Sequence, residues 1–230
     1  MRVRTLTTLA AATAALAALL TPGAQAAAGP AANPHGAPGD ILVMPVQDVL
    51  KALPVAAEDR TGYERTKFKH WVDVDKNGCN TRSEVLLAEA FVPPEKGAKC
   101  KLVGGEWWSL YDNTYVGDAG KIDIDHTVPL AEAWDSGASA WTAEQRQAYA
   151  NDLGDDRSLI AVSATTNRAK GDKDPTTWMP PSEAAHCAYL TNWAATKLRW
   201  GLTVDPAEAN ALAQIGVTCS NPPVKVTLAR

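Results

Sequence analysis

Past its first 26 residues the chain has no apolar run of membrane length, which excludes a helical integral membrane protein. It has no surplus of positive charge either: 22 Lys and Arg stand against 26 Asp and Glu. A protein that holds nucleic acid by bulk charge alone is therefore excluded. An enzyme that meets phosphates through one local patch and a bound cation is not. No Gly-x-Ser-x-Gly elbow surrounds Ser136 or Ser163, so a Ser-His-Asp hydrolase does not fit. There is no internal repeat, and cysteine is limited to Cys79, Cys100, Cys187 and Cys219.

Residues 1–26 read as a signal peptide: Arg2 and Arg4, an Ala/Leu-rich run from Leu9 to Leu20, then Ala24-Gln25-Ala26 for cleavage. Without it 20 basic residues face 26 acidic ones, a net charge of −6. The mature protein is expected to be secreted, off the membrane and monomeric. Residues 27–40, rich in Ala, Gly and Pro, read as a flexible leader, and 41–230 as a single domain. An even number of cysteines in an exported chain implies disulfides. Three pairings are possible; Cys79–Cys100 and Cys187–Cys219 are favoured because each closes a local loop. Zinc is disfavoured, because thiolate is the liganding form.

The pattern predicts short helices over 46–53, 63–71 and 83–90, and strands over 100–103 and 107–111. Residues 121–126 alternate as a strand does, and Pro129 breaks the run into a short helix. Thr142 with Gln145 forms a capping box for a helix to about 152. Residues 159–162 read as a second apolar strand. Ser163 caps a helix over 164–170 that Gly171 ends. Residues 183–219 read as a helical hairpin, its second helix opened by Asp205-Pro206 and stopped by Gly216. The fold class is α+β.

The informative unit is strand, Asp125-His126, a long connection, strand, and a helix carrying Asn167 and Lys170. A phosphodiester cut by water needs the water deprotonated, the developing charge neutralised and the leaving oxygen stabilised. A histidine supplies the first, a divalent cation on hard oxygen ligands the other two. Asp125 and His126 face opposite sides of an ideal strand, but a strand end before Pro129 lets both reach one cleft. Asn167 and Lys170, three apart on a helix, lie on one face: the first completes a cation site, the second meets a phosphate. Lys121, Arg168, Lys170 and Lys173 form the best basic patch.

Asp125-His126-Thr127-Val128-Pro129-Leu130, then Ser158-Leu159-Ile160-Ala161-Val162, then Asn167-Arg168-Ala169-Lys170-Gly171-Asp172 resemble the HNH nucleases of the ββα-metal type. Within these the chain is most similar to the family of the GmrSD restriction endonuclease C-terminal domain, in secreted form. Gly78-Cys79-Asn80-Thr81-Arg82 and Trp178-Met179-Pro180 belong to the same likeness, which spans roughly 63–219 and is most specific over 123–180. The resemblance implies a core at about 121–180 and a disulfide-stapled endonuclease acting on nucleic acid, DNA ahead of RNA. His126 is then the general base, Asp125 and Asn167 the ligands of Mg²⁺ (Mn²⁺ as alternative), and the product a 5′-phosphate. The middle Asn of the HNH triad is absent; Ser158 stands near its place as the residue to orient the base, with Asn151 as substitute if the connection folds back.

Asp73, Asp75, Asn77 and Glu84 match an EF-hand calcium loop, a second cation site for Ca²⁺. The alternative function rests on that loop: a non-catalytic, calcium-stabilised exported binding protein. Arg82, just after Asn80-Thr81, is expected either to bind a substrate phosphate or to pair with Asp73, Asp75 or Glu84.

Overall fold

The computed structural model describes residues 33–230. The expected signal peptide and residues 27–32 of the leader lie outside the described residues.

Two antiparallel strands, β1 (Ile41–Pro45) and β7 (Pro223–Thr227), pair Ile41 with Thr227 and bring the two ends of the domain together. Helix α1 (Val46–Ala52) follows β1 directly. The leader differs from its expected flexibility over its last residues. Asn33 is buried and its amide donates to the Leu198 and Arg199 carbonyls at the end of a long helix.

Helix α2 (Thr81–Ala88) is capped by Asn80, whose side chain accepts from Ser83 N. Strands β2 (Ala90–Val92), β3 (Glu106–Ser109) and β4 (Thr114–Val116) form one antiparallel sheet in the order β2-β3-β4. The segment 63–71 is not the expected helix: only a short 3-10 turn, Arg65–Lys67, forms there, and Trp71 lies at φ 58°. Asn151 explains the departure. Its side chain accepts from Val72 N (3.0 Å) and donates to the Lys69 carbonyl (2.8 Å), holding the end of the segment in a non-helical turn.

The central unit matches its pattern. Strand β5 (Ile122–His126) pairs antiparallel with β6 (Leu159–Ser163), and α5 (Ala164–Lys170) follows at once, capped by Ser163. Between the strands run α3 (Leu130–Asp135) and α4 (Ala143–Ala150), the latter with its Thr142/Gln145 capping box formed. Alternation gives this hairpin two cores. Ile122, Ile124, Leu159 and Ala161 pack with Val85, Leu86 and Trp107, while Ile160 and Val162 join the larger core. The register sets Asp125 opposite Ile160 and Asp123 opposite Val162, so both carboxylates share the larger-core face with α5.

The helical hairpin is present as α6 (His186–Trp200) and α7 (Pro206–Gly216), with Asp205 capping α7. Both disulfides are as favoured from the sequence, Cys79–Cys100 and Cys187–Cys219. A bidentate pair ties the hairpin to the centre: Arg199 Nε and Nη2 meet Asp152 at 2.7 and 2.8 Å, and Trp200 Nε1 donates to the same carboxylate.

Candidate active site

Asp125 ends its strand in a buried position, and two donors converge on one of its oxygens. Tyr111 Oη donates to Oδ2 at 2.6 Å and Lys170 Nζ at 2.5 Å. Burial pushes the carboxyl up, against the lysine's opposing pull. Lys170 is fully buried; beyond Asp125 it donates to the His126 (2.9 Å) and Thr127 (3.0 Å) carbonyls. Its three protons are therefore used, and in this arrangement none is left for a phosphate, contrary to the role expected of it. Lys170 instead anchors the turn after β5 and pairs with Asp125 through Oδ2 alone.

His126 lies on the other side of the strand end. Its Nε2 is 3.0 Å from the Ala150 carbonyl, at the C-terminus of α4. A carbonyl only accepts, so the proton sits on Nε2 and the lone pair on Nδ1. Burial, followed by the nearby charges of Arg65, His70 and Lys170, pushes the imidazole down to about 3, so the ring is neutral at physiological pH. Rings hold its plane: Trp71 at 5.5 Å on one flank, Tyr149 stacked at 6.4 Å, and His70 edge-on at 6.4 Å. Asp125 and His126 are both buried, and among the described residues neither Asp125 Oδ1 nor His126 Nδ1 has a hydrogen-bond partner.

Asn167 is half-buried on the first turns of α5, its Nδ2 donating to Asp123 Oδ2 at 3.3 Å. That turns its amide oxygen away from Asp123. Arg168 reaches the same carboxylate at 3.3 Å from an exposed position. The donor chemistry suits a hard cation: one carboxylate oxygen and one amide oxygen, with water for the rest.

Other expected residues lie elsewhere. Ser158 donates to Asp152 Oδ2 at 2.8 Å, not to His126; the Ala150 carbonyl takes the orienting place. Asn151 is spent on the 69–72 segment, which carries His70 and Trp71 over the imidazole. Among the described residues Arg82 does not pair with the 73–84 carboxylates. One of its terminal nitrogens donates to the Ala119 and Ile122 carbonyls at 2.9 and 2.8 Å, fixing the start of β5. In the 73–84 loop the Asn77 amide bridges Asp75 and Glu84, both at 2.8 Å. A donor thus occupies the loop centre. Among the described residues the acidic groups close enough to share a cation are Glu58 with Asp174 and Asp205, and Glu58 with Glu132 and Asp135.

Sequence reasoning missed Tyr111, Ala150 and the aromatic walls, since nothing local joins them to the strand. Asp123 was within reach, because a residue two before Asp125 on an alternating strand must share its face.

The sequence profile described as "GmrSD restriction endonucleases, C-terminal domain" matches residues 94–215. An "Uncharacterized secreted protein" of Arthroderma benhamiae is 41% identical over 174 residues, covering 75% of this chain and 84% of that protein. No solved structure matches the chain.

Proposed function

The chain belongs to the GmrSD restriction endonuclease C-terminal domain family, and from that premise we propose that it is a secreted, metal-dependent endonuclease of HNH type. The observation that supports the reading is the Nε2–Ala150 contact, which leaves the lone pair of a neutral His126 on Nδ1, next in sequence to a carboxylate that Lys170 holds by one oxygen. Two disulfides and a secreted relative support export.

His126 Nδ1 accepts the proton of the attacking water. Asp125 Oδ1 and the Asn167 amide oxygen would hold Mg²⁺ or Mn²⁺, which when bound neutralises charge on the phosphate and the leaving 3′ oxygen. Lys170 and Tyr111 keep Asp125 from turning, and the Ala150 carbonyl and flanking rings keep the imidazole from turning. Such fixed placement is worth more than any single contact. The low basicity of His126 owes part of its cause to Arg65, His70 and Lys170; an incoming phosphate opposes that field and makes the ring a better base.

The test is incubation of the mature protein with plasmid DNA, and separately with RNA, in Mg²⁺ or Mn²⁺ with an EDTA control. Cleavage that EDTA stops is expected, and His126→Ala should lower its rate by ~10²–10⁴ with the fold intact. Wild-type turnover in that variant, with an unchanged circular dichroism spectrum, removes His126 as the base.

A further inference from the structure

The face of the β2-β3-β4 sheet turned away from Trp107 is apolar where a polar face is expected. Trp107 on the inner side is fully buried and donates to the Leu86 carbonyl. On the outer side Trp108 and Tyr115 are a direct cross-strand pair with ring centroids 4.6 Å apart, and Phe91 lies 4.9 Å from Tyr115. Phe91 is 63% exposed, Tyr115 49% and Trp108 37%. Three clustered rings in water mark a surface with an occupant.

The chain between β2 and β3 supplies the second observation. It carries Lys96, Lys99 and Lys101, all exposed, and among the described residues none is in an ion pair. The Cys79–Cys100 bond holds this segment in place. In a chain of net negative charge, this segment carries three lysines against one carboxylate, Glu95, a local positive excess next in sequence to the sheet that bears the rings. On its other side Trp108 lines a groove of about 580 Å³ with Glu84 and Asp156, neither of them in an ion pair among the described residues, and these carboxylates oppose a phosphodiester backbone. The two flanks therefore discriminate: an anionic chain is steered over the lysines and away from the groove.

We propose that Phe91, Tyr115 and Trp108, with Lys96, Lys99 and Lys101, form a docking platform for unpaired bases of the nucleic acid substrate. Rings stack on any base through its π-face, and lysines meet the backbone, the combination that single-strand binders use. A duplex keeps its bases stacked internally and offers the rings little. From Tyr115 the chain runs through Gly117–Lys121 directly into β5, so the platform adjoins the strand that carries Asp125 and His126. The proposal rests on the nuclease reading and deepens it, assigning preference for single-stranded or locally opened substrate.

The experiment measures binding of a fluorescent oligo-dT and of a duplex of equal length to full mature protein carrying His126→Ala, in EDTA, so that cleavage does not intervene. Replacing Phe91, Trp108 and Tyr115 together by Ser should weaken single-strand binding by about tenfold or more and duplex binding far less. Changing Lys96, Lys99 and Lys101 to Gln should flatten the salt dependence of single-strand affinity. Should the ring-free protein fail to fold, Phe91→Ser alone, the most exposed ring, reads the same preference. Unchanged single-strand affinity, or equal loss on both substrates, overturns the platform. Retention of the wild type on an insoluble polysaccharide, lost without the rings while oligonucleotide binding stays, assigns the surface to sugar and overturns it too. Ring-dependent oligonucleotide binding in a wild type that cleaves neither DNA nor RNA defeats the nuclease reading and leaves the platform standing.

Discussion

Two lysines are sealed inside this protein, and they are used in opposite ways. Lys197, on α6, lies between Glu132 and Glu208 at 2.7 Å from each, with Ser136 Oγ and the Thr203 carbonyl beside it. Lys170, on α5, has a single carboxylate, Asp125, and two backbone carbonyls. Burial lowers both ammonium groups, but the two carboxylates raise Lys197 above its ordinary value whereas Lys170 stays below its own. In the hairpin the cation is outnumbered and closed off, a structural clasp. In the ββα unit one oxygen of the Asp125 carboxylate is clamped and the other has no hydrogen-bond partner among the described residues. What separates a clasp from a site is the unused oxygen.

The largest expected effect is on the clasp. Lys197→Met leaves Glu132 and Glu208 buried without their cation, a loss of about 3–5 kcal/mol. Urea denaturation should show it, and added metal should not reverse it. Lys170→Met is expected to cost nearly as much in EDTA, because Asp125 loses its counter-charge. Here Mg²⁺ or Mn²⁺ should restore part of the stability, since a cation on Oδ1 replaces the missing charge. Equal indifference of both variants to metal would erase the distinction and with it Asp125 as a ligand.

The comparison also marks where sequence ceases to inform. The ββα order, the Ser163 cap, the Thr142/Gln145 box and the Asp205-Pro206 start are local rules, and each is present. Asn167 and Lys170 were read as one face because they are three apart. At about 100° per residue they still differ by about 60°, enough on a short helix to seat the amide on the rim and bury the ammonium. Ser158 was read as the orienting residue from its place before β6, yet Asp152, held by Arg199 from a distant helix, takes its hydroxyl. The His126 imidazole is oriented by a backbone carbonyl, which no side-chain pattern announces.

A smaller effect is expected at the rim. Asn167→Ala removes one of the two protein oxygens proposed for the cation while sparing Asp125, Lys170 and His126. Activity should fall roughly 10–100-fold at low Mg²⁺ and recover in part as Mg²⁺ or Mn²⁺ is raised, since ligand losses of this kind act on metal affinity. Cleavage rate titrated against metal for both proteins decides it. If the two curves overlay, Asn167 is only the hydrogen-bond partner of Asp123.

The smallest effect concerns a half-buried carboxyl with no cation at all. Glu89 sits behind β6, accepting from Ala161 N at 2.7 Å. Burial, only partly offset by that bond and reinforced by Asp156, pushes it up to about 7. Its folded value is thus above the unfolded one, near 4.5. The stabilisation from its bound proton is fully present below about pH 4.5 and is lost as pH rises through about 7. Glu89→Gln keeps an oxygen for Ala161 N and never ionises. The variant should therefore match the wild type near pH 5 and exceed it near pH 8 by about 1–2 kcal/mol, a tenfold change in proton affinity corresponding to about 1.4 kcal/mol. Thermal unfolding of both proteins across that window measures the difference. Asp125, Glu132, Asp135, Asp152 and Glu208 each pair with a cation and Glu89 with none, so its pH dependence reads what the cations contribute elsewhere. Parallel stability profiles would mean that Glu89 is charged throughout, stabilised by one backbone N–H and solvent.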